Sequence, residues 1–157
     1  MTRFVAIVGL PGVFAVGSPH LARTQQNHFS QNAFTSMAQA ALQHEATVGV
    51  ARGFEPAGAI RMGLLLPRER DSLALQLDSG WEYLAIGICD DDCGDLYFYL
   101  SDHKGTQVGL DVWSNRRPRV RVRTTSPGNY TLRIVMGNCS VPPCYYGVQL
   151  FRKPLPS

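Results

Sequence analysis

The feature that most constrains the fold is a series of short apolar runs between residues 61 and 151, separated by turn residues. Each run has roughly five to nine residues, the usual length of a β-strand. Apolar and polar residues alternate in several of them, for example at Leu73, Leu75 and Leu77. Because Gly, Pro and Asp separate the runs, the pattern predicts an antiparallel β-sandwich or barrel of about eight strands. The predicted strands are 61–66, 72–77, 81–89, 95–101, 107–112, 118–124, 130–136 and 145–151.

A helical pattern precedes the strands. Residues 28–45 contain no Gly or Pro. Phe29, Ala33, Met37 and Ala41 recur every four positions, and Phe34, Ala38 and Leu42 lie beside them to give a broad apolar face. This spacing places apolar side chains on one face, so the sequence predicts one amphipathic α-helix that ends near residue 47. The polar residues 23–27 are interpreted as a linker in front of the helix, and residues 53–58 as a loop behind it.

The first residues resemble an export signal. Arg3 is followed by an apolar stretch over residues 4–17, and Ala15 and Gly17 are small residues at the −3 and −1 positions of a cleavage site. The stretch is too short for a transmembrane helix, which needs about 20 apolar residues. The sequence therefore predicts a signal peptide within residues 1–22, cut after Gly17 or at a poorer site after Ala22. A buried first element of a cytosolic domain is the alternative. Export predicts a secreted or periplasmic protein without a membrane span.

The four cysteines form two close pairs, Cys89 with Cys93 and Cys139 with Cys144. Four cysteines allow three disulfide pairings. Each close pair lies where a predicted strand meets a loop, so two local bridges are the simplest arrangement, and an oxidising compartment favours them. A zinc site built from all four thiolates is the alternative, since the spacings also suit zinc.

An acidic loop lies between two predicted strands. Four carboxylates fall within six residues, at Asp90, Asp91, Asp92 and Asp95. Like charges this close repel each other, so solvent, an arginine or a cation should offset the repulsion. Oxygen ligands on a loop suit calcium, but the frame of an EF-hand is missing. The loop is therefore either a solvated acidic turn or a weak calcium site, and no other cofactor is expected.

The basic residues are almost all arginines, 13 against 2 lysines, and the net charge is +3. Arg119, Arg121 and Arg123 alternate with valines on one predicted strand, so their side chains share one face. Such a row could bind an acidic polymer, or it could be the solvated face of a half-buried strand. A net charge of this size is ordinary for a small domain, and we expect no nucleic acid partner.

No catalytic motif is present in the sequence. It contains no G-x-S-x-G, H-E-x-x-H, P-loop or G-x-G-x-x-G pattern, and its four histidines are scattered. We therefore expect no catalytic residues and a protein that is not an enzyme.

Residues 53–151 resemble the bacterial pre-peptidase C-terminal (PPC) domain. The matching segments are Gly80-Trp81-Glu82-Tyr83, the cysteine loop from Gly87 to Leu96, Ser101-Asp102 with Gly105, Pro118 with Val120 and Val122, Ser126-Pro127-Gly128 with Tyr130, Leu132 and Ile134, and Cys139 to Val148. The resemblance implies a jelly-roll-like sandwich over residues 53–153, exported and usually attached to other exported enzymes, with calcium or matrix polymers bound by some members.

Two positions depart from the PPC pattern. Tyr97 stands where an aspartate is usual after the cysteine loop, and Arg116 lies in a loop that usually carries acids. Both differences weaken the expectation of calcium.

These observations favour a secreted, non-catalytic binding or accessory module that contacts an extracellular polymer or an exported protein. Two alternatives stay open. One is an extracellular hydrolase with an acidic site near Asp90–Asp95. The other is a structural envelope protein that oligomerises through an uncovered apolar face of the helix over residues 28–45.

Overall fold

The computed structural model describes residues 19–47, 51–113 and 115–156, with side chains described from residue 31 onward. Within these ranges, one helix precedes nine strands. In chain order they are α1 (Pro19–Thr47), β1 (Glu55–Pro56), β2 (Arg61–Leu65), β3 (Arg70–Leu77), β4 (Trp81–Cys89), β5 (Cys93–Ser101), β6 (Gln107–Asp111), β7 (Arg119–Thr124), β8 (Gly128–Cys139) and β9 (Cys144–Pro154).

The strands form two antiparallel sheets, as the alternating pattern predicts. The first sheet has the order β1-β9-β4-β7, and β2 also pairs with β9 on the side where β1 lies. The second sheet has the order β3-β8-β5-β6. The prediction of a mainly β sandwich with one helix is confirmed, and all eight predicted strands are present. The jelly-roll form stays an expectation of the resemblance.

A core of apolar side chains fills the space between the sheets. The largest completely buried members from the second sheet are Phe98, Leu96, Leu132, Ile134 and Met136. They meet Ala85, Tyr146 and Val148 from the first sheet. These side chains come from alternate positions of their strands, because successive side chains of a strand point to opposite faces.

A second apolar core lies on the outer face of the first sheet, under α1. Phe34, Ala38 and Leu42 of the helix pack on Leu84, Ile86, Ile88 and Phe151. Residues 82–89 of β4 are all buried for this reason: one side of the strand faces the inter-sheet core and the other faces the helix. In the part of α1 with described side chains, Met37 is the exposed large apolar residue. In that segment, the structure therefore gives little support to oligomerisation through an uncovered apolar face of the helix.

The helix begins nine residues earlier than predicted, at Pro19 instead of residue 28. The polar residues 23–27 are helical and do not form a linker. The physical reason is that no Gly or Pro interrupts residues 20–47, and proline is well tolerated in the first turn of a helix. The loop predicted over residues 53–58 contains the two-residue strand β1, which pairs with Phe151 and Arg152. The predicted signal sequence up to Gly17 lies outside the described residues.

Two disulfides join the sheets at one end of the sandwich. Cys89–Cys93 connects β4 to β5, and Cys139–Cys144 connects β8 to β9, so each bridge links a strand of one sheet to a strand of the other. Cys93 and Cys139 are also cross-strand partners. The predicted pairing is confirmed, and the chain contains no free cysteine.

We expect each bridge to stabilise the fold by about 2 kcal/mol, because it closes a loop of only a few residues. Replacing Cys139 and Cys144 together by alanine should lower the free energy of unfolding by that amount, measured by urea denaturation without reductant. Peptide mapping without reductant should recover two separately linked peptides. A peptide joining Cys89 to Cys139 would contradict the pairing.

Candidate functional site

The three arginines of the predicted row lie on β7, at the edge of the first sheet. Arg119, Arg121 and Arg123 pair across the strands with Ile86, Leu84 and Glu82 of β4. Directly opposed residues of an antiparallel pair project to the same face. The arginines therefore share the outer face of the sheet, beside the helix.

A buried carboxylate holds part of this row. Glu82 is only 3% exposed, yet Arg121 Nη1 and Arg123 Nε both lie 3.4 Å from its Oε1. Lys153 Nζ lies 3.0 Å from its other oxygen. Burial alone would raise the pKa of Glu82, but the hydrogen bond and charge of Lys153, together with the two arginines, outweigh it and hold the pKa below its ordinary value.

A second buried carboxylate comes from the helix. Glu45 is 6% exposed near the end of α1, and its Oε1 lies 3.1 Å from Arg119 Nη2 and 3.8 Å from Arg117 Nη1. These contacts tie the end of the helix to the edge strand. We refer to the five cations around Glu45 and Glu82 as the cation cluster. Its members are Arg117, Arg119, Arg121, Arg123 and Lys153.

An aromatic ring lies beneath part of the cluster. The ring centre of Phe54 is 4.6 Å from Lys153 Nζ and 5.3 Å from Arg121 Cζ. A cation at such a distance from an aromatic ring is attracted by the negative face of the ring. Phe54 is buried, so it forms a fixed support that positions both cationic groups.

Sequence reasoning missed the buried partners in this site. Glu82, Glu45 and Lys153 are far apart in the sequence and meet only when β4, β9 and α1 come together. One signal was available: Glu82 is the single charged residue in the otherwise apolar or uncharged strand Trp81–Cys89. A carboxylate at such a position needs a cationic partner because an unpaired buried charge is unfavourable.

The acidic loop is arranged differently from a metal site. One carboxylate oxygen of Asp90 accepts from the backbone N–H of Cys93 at 3.1 Å, and the other accepts from that of Tyr145 at 2.8 Å. Asp91 forms an ion pair with Arg116 at 2.6 Å. Both aspartates are therefore engaged by groups of the chain itself, and of the three partners expected for this loop, which were solvent, an arginine or a cation, Arg116 is the arginine.

The remaining acids do not complete a metal-binding group. Asp92 lies exposed at the turn, where its backbone oxygen accepts from Ser140, and Asp95 is half-buried on β5. Within the described ranges, no three carboxylate, histidine or cysteine side chains are arranged to hold a metal ion. Burial raises the pKa of Asp90, and the charge of Asp92 adds to this effect, although the two backbone hydrogen bonds oppose it. A weak calcium site stays a prediction.

A comparison of the sequence with models of known protein families, and with curated proteins, finds no match. The resemblance to the PPC domain therefore stays a prediction. None of the helical residues that the structure describes forms a segment long and apolar enough to cross a membrane.

Proposed function

We propose that the chain is an exported, non-catalytic binding module that holds an acidic polysaccharide on the cation cluster. The observation that carries this proposal is a charge imbalance: among the residues that the structure describes, five cationic side chains lie within ion-pair distance of only two carboxylates, Glu45 and Glu82. The surplus of positive charge lies on one face of the sandwich. A polymer with regularly spaced negative groups complements it.

The positions of the charges support the same conclusion. The two carboxylates are buried, whereas the Arg117 and Arg123 side chains are 53% and 73% exposed. A ligand approaching this face meets the positive groups first. The carboxylates also hold the long arginine side chains in place before binding, which lowers the conformational entropy lost when a ligand binds.

The spacing of the row suits a polymer. Arginines at every second residue of a strand are about 7 Å apart. Each planar guanidinium can bind a carboxylate or sulfate group through two parallel hydrogen bonds. A chain of acidic sugars can therefore contact several arginines at once along the edge strand.

The fold suits an exported accessory protein. Two disulfides at one end of the sandwich are typical of oxidising compartments. The rigid sandwich leaves edge strands and loops free to contact a ligand, as in many binding domains. We propose a secreted or periplasmic location on this basis.

The proposal is tested by retention on immobilised heparin and polygalacturonate, with neutral dextran as the reference polymer. We expect retention on the two acidic polymers, weakening steeply with salt because exposed ionic contacts are screened. Single changes Arg119→Gln, Arg121→Gln and Arg123→Gln should each weaken binding about threefold, and the triple variant should abolish it.

The matched control is Arg133→Gln, because Arg133 stacks on Tyr99 on the outer face of the second sheet. It should leave retention unchanged. Urea unfolding of each variant separates lost binding from lost folding. Retention that is insensitive to salt, or that survives the triple substitution, would contradict the proposal. Shortening of a polymer that stops on Asp95→Asn would contradict the non-catalytic role.

A further inference from the structure

A cleft opens between the two sheets at the edge opposite β7. It has a volume of about 440 Å³ and lies between the β1–β2 loop and the edge strand β3. Small-molecule sites commonly have volumes of roughly 300–1,000 Å³ and mainly apolar walls with a few polar groups. The cleft is lined by the apolar side chains of four leucines, one valine and four alanines, among them Leu73, Leu75, Ala85, Leu132, Val148 and Leu150, and by the polar side chains of Arg61, Ser72 and Gln76.

One exposed cation, Arg61, lies at the mouth of the cleft. Arg61 of β2 lies directly opposite Val148 of β9, and Val148 belongs to the core between the sheets. Opposed residues share a face, so Arg61 occupies a position where the strand pattern would place an apolar residue. Among the described residues Arg61 forms no ion pair. Asp71 of β3, in the facing sheet, accepts a hydrogen bond from the Tyr146 hydroxyl.

The cleft is held open by the loop at its mouth. Ala57, Gly58 and Ala59 have too little side chain to fill the space. Gln149 Nε2 donates to the Gly58 carbonyl at 2.9 Å, and the Ala57 N–H donates to the Leu150 carbonyl at 2.8 Å. Gly58 has a φ of +98°, a conformation that other residues rarely adopt. The loop is therefore fixed before any ligand binds, which favours affinity.

We propose that this cleft binds a free medium-chain fatty acid. The alkyl chain lies between Leu75, Leu132 and Leu150, and the carboxylate pairs with Arg61 at the mouth. An unpaired guanidinium beside an apolar cavity complements a ligand that is negative at one end and apolar along the rest of its length. The site is separate from the cation cluster, which lies on the outer face at the other edge of the first sheet.

Calorimetric titration with octanoate, nonanoate and decanoate, each below its micelle concentration, tests the proposal. We expect affinity to rise about fourfold with each added methylene, because each buries further apolar surface. Decanol, which lacks the charge, should bind about tenfold more weakly than decanoate. The variant Arg61→Gln should remove this difference without lowering stability, because Arg61 has no ion pair to lose. The matched control is Arg70→Gln, which changes an exposed arginine outside the cleft lining.

A second variant tests the cavity itself. Ala85→Leu places a larger side chain inside the cleft and should abolish binding of both decanoate and decanol, with urea unfolding used to verify that the variant folds. Decanol binding as tightly as decanoate, or decanoate binding unchanged in Arg61→Gln, would overturn the proposal. A dimer of the wild-type protein that Ala85→Leu dissociates would also overturn it, since a second copy would then occupy the cleft.

Discussion

Replacing Gly87 by alanine will destabilise the protein by about 3 kcal/mol, at the upper end of the range for overpacking a core. A Cβ atom at this position would lie 2.5 Å from Phe98 Cζ and 2.9 Å from Pro118 Cγ. Both neighbours are completely buried, so neither can move aside without disturbing other core contacts. Urea denaturation followed by fluorescence measures the change in the free energy of unfolding.

The matched control for this prediction is Gly128→Ala. A Cβ atom there would lie 3.8 Å from its nearest neighbours, His103 and Tyr130, which is an ordinary van der Waals distance. We expect its unfolding free energy to stay within about 0.5 kcal/mol of the wild type. Equal losses in the two variants would show that the effect comes from replacing a strand glycine and not from the contact with Phe98.

Glu82→Gln will lower the free energy of unfolding by about 2 kcal/mol at pH 7, as much as the loss of one disulfide. The change preserves the size of the side chain but removes the negative charge shared by Arg121, Arg123 and Lys153. Removing one partner of a completely buried pair costs roughly 3–5 kcal/mol, and the expected value here is lower because the cations are partly exposed to solvent.

The effect of Glu82→Gln should depend on pH. The pKa of Glu82 in the folded protein lies below its ordinary value of 4.5, so its carboxylate contributes fully at a pH above that value. The contribution is lost as the pH falls through the lower, folded-state pKa. The stability difference between wild type and variant should therefore be constant near neutral pH and shrink towards pH 3, as measured by urea unfolding at each pH.

Glu55→Gln is the control for the charge change. Glu55 is an exposed residue that pairs with Arg152 at 2.8 Å, and exposed ion pairs contribute little to stability. Glu55→Gln should lower the free energy of unfolding much less than Glu82→Gln does at pH 7. Similar losses in the two variants, or a difference for Glu82→Gln that persists at pH 3, would contradict the role of the buried carboxylate.

Eight of the nine described strands were predictable because each carries its own signal, whereas the two-residue strand β1 lies in a segment predicted as a loop. Leu73, Leu75 and Leu77 alternate with polar residues, and Gly, Pro and Asp terminate most of the runs. The start of the helix was not predictable from the sequence, because residues 23–27 show no apolar periodicity and resemble a linker. Pro19 and the absence of later helix breakers allow the helix to extend there, but these features permit a helix without requiring one.

The candidate site was predictable only in part. The arginine row follows from alternation along β7 alone. Its partners depend on the register of β4 against β7 and β9, which pairs Glu82 with Arg123 and with Lys153. Glu45 reaches Arg119 because α1 packs across the same sheet. Long-range pairing of this kind leaves no spacing pattern in a single sequence.

The edge position of β3 has a consequence for self-association. An edge strand presents a row of unpaired backbone groups to which a strand of another molecule can add, and charged side chains on the edge oppose such pairing. In β3 and the turn before it the charges are concentrated at one end, in Arg68, Glu69, Arg70 and Asp71. Residues 72–77 carry none and include three leucines. We therefore expect a strand of another molecule to add most easily to the half of β3 towards Leu77, because no charged side chain there opposes the pairing.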